Sequence, residues 1–66
     1  MNKCDVYQVY RALKDIANFE NVIPQSALVQ VRQCNGSTIW VRSEAGTTYV
    51  LDAEELENTV YFKKVF

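Results

Sequence analysis

At 66 residues the chain has room for one small domain, which excludes a separate catalytic domain and leaves a core near the size where burial only just offsets chain entropy. Hydrophobic residues make up 48% and charged residues 23%, with two Gly and one Pro, a composition that excludes a disordered tail or a fibre. A net charge of −1 argues against a protein whose main task is neutralising phosphate, and the lack of His removes the usual general base at neutral pH.

The opening residues Met1-Asn2-Lys3-Cys4-Asp5 hold no apolar stretch of the kind a secretion leader needs. No run approaches the roughly 18 apolar residues of a membrane span, so a cytoplasmic protein with no membrane partner is expected. In that compartment Cys4 and Cys34 are expected as reduced thiols, with a single bridge as the alternative. Without a Cys-x-x-Cys motif or a His they do not form a zinc site, and no cofactor is expected.

From Asp5 to Asn18, the residues Val6, Val9, Tyr10, Leu13, Ile16 and Ala17 recur at three-and-four spacing, which predicts an amphipathic helix over about 5–18. Asp5 and Gln8 fit its capping box, and Gln8, Arg11, Lys14 and Asp15 fall on its solvated side. Pro24 then biases Ile23 away from helix, so 18–26 reads as a connector pinned to the core by Phe19, Val22 and Ile23.

From Ala27 the period changes to two and predicts an antiparallel meander with strands at about 27–33, 38–43, 47–51 and 59–65. A two-residue Asn35-Gly36 turn would place Ile39 and Val41 on the face of Gln30 and Arg32, mixing apolar and polar sides. A three-residue loop, Cys34-Asn35-Gly36 with a left-handed Gly36, instead pairs Val31 with Ile39 and Val29 with Val41. The loop Glu44-Ala45-Gly46 has the same form and pairs Val41 with Tyr49 and Ile39 with Leu51. The inner face is then Val29, Val31, Ile39, Val41, Tyr49 and Leu51, with the helix as its cover. Gln30, Trp40 and Val50 fall side by side on the outer face. After Leu51, Asp52 caps a short helical turn at 53–57 and Leu56 returns to the core. The fold class expected is therefore α+β, one domain over 1–66, with a helix packed on a β-meander.

Over Ala27 to Phe66 this order of two tight hairpins, a helical turn ending in Leu56-Glu57 and a final strand resembles small SH3-like barrels. The resemblance is carried by Gly36, Thr38, Trp40, Val41, Gly46, Tyr49, Leu56 and Glu57. It implies a partly open barrel. The first strand and long loop of such barrels are replaced here by the helix, and their varied binding surfaces transfer no site residues.

Two surfaces remain as candidates. Trp40 between Arg32 and Arg42, with Gln30 and Val50, forms a face that can anchor a protein or stack a base, unless Trp40 packs under the connector or the last strand. Asp52, Glu54, Glu55 and Glu57 form an acidic patch that can dock a basic partner, or simply a solvated turn. Tyr7 and Tyr61 fall off the inner stripes and the sequence ends on Phe66; exposed together with Trp40 they would form an apolar patch that marks a partner surface, and a homodimer through this patch or an unpaired strand edge is a further expectation. The function expected is a non-catalytic protein-binding module, an inhibitor or adaptor, whose small size suggests a phage or mobile-element accessory protein. The alternative is a single-stranded nucleic-acid-binding domain using Arg32, Trp40 and Arg42, assisted by Lys63 and Lys64. An enzyme would need Cys4 or Cys34 as a nucleophile with no His beside it.

Overall fold

Burial alternates in the first third of the chain, and a strand stands where the helical stripe was expected. The computed structural model describes residues 5–19 and 21–65; Met1 to Cys4 and Phe66, which carry the leader, second-thiol and terminal-aromatic expectations, lie outside them. In chain order the elements are β1 (Val9–Ala12), β2 (Ile16–Asn18), β3 (Asn21–Ile23), β4 (Leu28–Asn35), β5 (Thr38–Ser43), β6 (Thr48–Asp52), α1 (Ala53–Leu56) and β7 (Phe62–Val65). Five strands form an antiparallel sheet in the order β6-β5-β4-β1-β7, curled into a half-barrel, while β2 and β3 form a separate hairpin.

The α+β expectation is therefore corrected to a mostly β fold with no N-terminal helix packed on the sheet. Asp5 to Tyr10 is rich in Val and Tyr, side chains that fit a pleated surface better than a helix. Tyr10 and Ala12 are buried with exposed Arg11 between them, and Ile16 and Asn18 are buried with exposed Ala17 between them, a period of two. Tertiary pairing decides between the two readings. β1 lies between β4 and β7, pairing Val9 with Gln30 on one side and with Val65 on the other. As a helix this segment would leave β7 without any strand neighbour. The expected capping box is also absent: Gln8 N–H bonds Asp5 O at 2.9 Å in a turn where Tyr7 has φ of 76°.

The connector is likewise structured. Ile16 pairs with Ile23 and Asn18 with Asn21, and Ile23 is fully buried as expected. Phe19 and Val22, expected in the core, instead face solvent at 87% and 55% exposure.

In the meander all six expected inner residues are buried, and Val41–Tyr49 and Ile39–Leu51 pair as expected. Gly46, at φ of 91°, closes the loop between Ser43 and Thr47. The first loop differs. Asn35 pairs with Thr38 around a Gly36-Ser37 turn, and a β-bulge at Arg32 then shifts the register so that Val31 meets Val41 and Val29 meets Ser43. This register differs from the expected one by two residues, and a shift of two preserves which face each side chain occupies.

Asp52 caps α1 by accepting from Glu54 N–H at 3.3 Å, and Leu56 is buried, as expected. The last strand starts later than expected, at Phe62, because 59–61 form a turn in which Tyr61 N–H and Phe62 N–H both bond Asn58 O at 3.0 Å. The core joins Tyr10, Ile23, Leu56 and Phe62 to the meander face, with Tyr10 and Phe62 in an edge-to-face contact at 6.3 Å. Cys34 is half-buried against this core and disulfide-bonded, contrary to the reduced thiol expected. Among the described residues no helix is long and apolar enough to cross a membrane.

Candidate protein-interaction site

The bulge in β4 rearranges the outer face on which the Trp-Arg surface was expected. Trp40 pairs with Gln33 on one side and Val50 on the other and is half-buried; Gln30 lies in a different row, between Val9 and Arg42. As the extra residue, Arg32 is aimed back along the sheet, where its guanidinium sits 5.6 Å from the centre of the Tyr7 ring. Arg32 also donates to Gln30 Oε1 at 3.3 Å, and Gln30 Nε2 donates to Tyr7 O at 3.2 Å. Arg42 is exposed between Gln30 and Thr48. Trp40 and Val50 thus stay together, whereas Arg32 is drawn to Tyr7 and Arg42 to the neighbouring row.

Most of the acidic residues stay together. Asp52, Glu54 and Glu55 line one shallow depression beside Asn58 and Tyr61. Asp52 and Glu55 also border a second groove, and Glu57 turns away toward Tyr10 and Leu13. Among the described residues no three Asp, Glu or Cys side chains converge as metal ligands.

The groove of Asp52 and Glu55 combines polar and apolar elements. It holds about 360 Å³ between the β2–β3 hairpin, the Gly36-Ser37 turn and the start of α1, lined by Phe19, Ser37, Thr38, Val50, Asp52 and Glu55. The hairpin is fixed there by Asn18, a buried amide whose Nδ2 donates to Val50 O at 2.7 Å. Phe19 follows at the hairpin tip with φ of 54°, a left-handed conformation uncommon for an aromatic residue. It is the most exposed of the large hydrophobic side chains described. Phe19 is the residue sequence reasoning missed. The signal was present in Asn18 and Asn21, two turn-favouring residues flanking it, which mark a hairpin tip rather than a buried connector.

Burial, then the charges of Glu57 and Asp5, push the Tyr10 hydroxyl above its ordinary value of 10.0. Tyr61 lies under the Lys14 ammonium at 4.9 Å, whereas Tyr7 lies under the Arg32 guanidinium. No protein-family model, curated protein or solved structure matches the chain.

Proposed function

We propose that the chain is a non-catalytic protein-binding module, an inhibitor or adaptor, that receives a basic segment of a partner in the groove between the β2–β3 hairpin and α1. The observation that carries this reading is Phe19, 87% exposed in a left-handed backbone at the rim of a groove that also holds Asp52 and Glu55. An aromatic side chain held in water beside carboxylates gives up apolar exposure when a partner covers it, and it supplies the anchor with a polar rim that protein interfaces use. The carboxylates select a partner segment bearing Lys or Arg, with a short aliphatic side chain against Phe19 and Val50.

Selection from a displayed random-peptide library tests the reading. Enriched peptides are expected to carry net positive charge and to lose binding to Phe19→Ser and to the Asp52→Asn/Glu55→Gln pair. Unchanged binding to Phe19→Ser, or no enrichment at all, would rule the groove out. Since Phe19 is almost fully exposed, its substitution leaves the fold in place, which the amide spectrum of the variant verifies.

A further inference from the structure

The two ends of the sheet are finished differently. At β6, Ser43 N–H bonds Thr47 O at 2.8 Å, so the alternation of an antiparallel ladder directs the backbone of Thr48 and Val50 off the edge. Asn18 from the hairpin takes the Val50 carbonyl. At β7, Leu13 N–H bonds Tyr61 O at 2.7 Å, and the same alternation directs the backbone of Phe62 and Lys64 away from β1. Phe62 N–H is taken by Asn58 O, which leaves the Phe62 carbonyl and both backbone polar groups of Lys64 at an edge open among the described residues. Among the described residues β7 has β1 as its single strand neighbour.

Beside this edge lies the largest groove described, about 600 Å³, floored by Tyr10, Leu56 and Phe62, with Leu13 and Glu57 on its walls and Lys64 on its rim. The basic residues along the edge are Arg11, Lys63 and Lys64, with Asp5 beside Lys64 and Glu57 on the groove wall. Arg11 and Lys63 are directly opposed on β1 and β7, an arrangement that costs stability unless an anion lies across it. Lys64 pairs with Asp5 at 3.9 Å with both side chains more than half exposed, a contact weak enough to exchange.

We infer that the β7 edge receives an extended acidic segment of a protein partner, which adds as a further strand, puts an apolar side chain into the groove over Phe62 and sets carboxylates on the opposite face, against Lys63 and Arg11. A second copy of the chain does not satisfy this edge, because β7 against β7 opposes lysine to lysine, and the chain's own acidic run is folded into α1. The site is independent of the Phe19 groove and selects the opposite charge.

The probe is a capped peptide of about eight residues, the length of an ordinary strand, alternating aspartate with valine and titrated into the isotope-labelled protein. Amide shifts are expected within 9–13 and 62–65, with slowed hydrogen exchange at the Lys64 amide. Replacing aspartate by lysine in the probe, methylating alternate backbone nitrogens of the probe, and the Lys63→Glu/Lys64→Glu variant are each expected to weaken binding by roughly tenfold or more. Unmoved β7 amides overturn the inference, as does equal binding of the lysine or N-methylated peptide. A dimer in light scattering whose contacts protect the Lys64 amide would assign the edge to a second copy and overturn it as well.

Discussion

The meander β4–β5–β6 and the segment from Asp5 to Ala27 are built from similarly apolar sequence, yet one follows from local pattern and the other does not. In the meander, glycine turns bracket each strand pair, and alternation along the strands assigns the faces. In the N-terminal segment each strand is three or four residues long, shorter than one cycle of a pattern that could distinguish a period of two from 3.6. What fixes β1 is remote in sequence: β4 and β7, on either side of it, begin 16 and 50 residues after its last residue (28 − 12 and 62 − 12). The comparison teaches that short strands are specified by their neighbours and long ones by themselves.

Substitutions in the core test whether the N-terminal segment is as integral as the meander. Ile23→Ala in β3 and Leu51→Ala in β6 remove fully buried side chains and are each expected to cost about 2–5 kcal/mol, enough to unfold much of so small a domain at 25 °C. Urea midpoints decide it: a negligible change for Ile23→Ala beside a large one for Leu51→Ala would show the hairpin to be peripheral. Cys34→Ser, or reduction of the native protein, is expected to lower stability by about 2–4 kcal/mol, read as a fall in thermal midpoint. Asn18→Leu strands the Val50 carbonyl and is expected to cost about 1–3 kcal/mol, with faster hydrogen exchange at β2 and β3 than at β4 and β5.

The smallest effect concerns Tyr10. Its folded pKa lies above the unfolded value, so the unfolded chain loses the phenolic proton first as pH rises. Stability from this group is complete below about pH 10 and falls through the window between the unfolded and folded pKa values. Tyr10→Phe is expected to flatten that alkaline decline, measured as urea midpoints across the window. An unchanged slope would show that another group carries it.

Legibility in the sequence followed the same division. The six inner residues were correct although the β4–β5 loop was not, because the turn at Gly36-Ser37 and the bulge at Arg32 together displace the register by two. Val6, Val9, Tyr10 and Leu13 imitate a helical stripe by coincidence of spacing, and Val6 and Leu13 are exposed in the folded chain. At the candidate site, the Asp52 cap and the acidic residues after it were legible because capping is a local interaction. The turning of Glu57 away from Asp52, Glu54 and Glu55 was not, since it depends on where β7 meets α1. Phe19 was assigned to the core by its hydrophobicity alone, and only the hairpin geometry turns it outward.

The bulge also has a bearing on how the chain tolerates changes in length. Val31 faces inward, Arg32 and Gln33 face outward, and Cys34 turns toward the core again. Deleting residue 32 would therefore restore strict alternation, and each remaining side chain of β4 would keep its partner on β5. Arg32 behaves as an inserted residue that the fold accepts at no cost to core assignment. Its removal would reduce the local bend of β4 and take away the guanidinium beside the Tyr7 ring, so a local twist of the sheet rests on a position the core does not need.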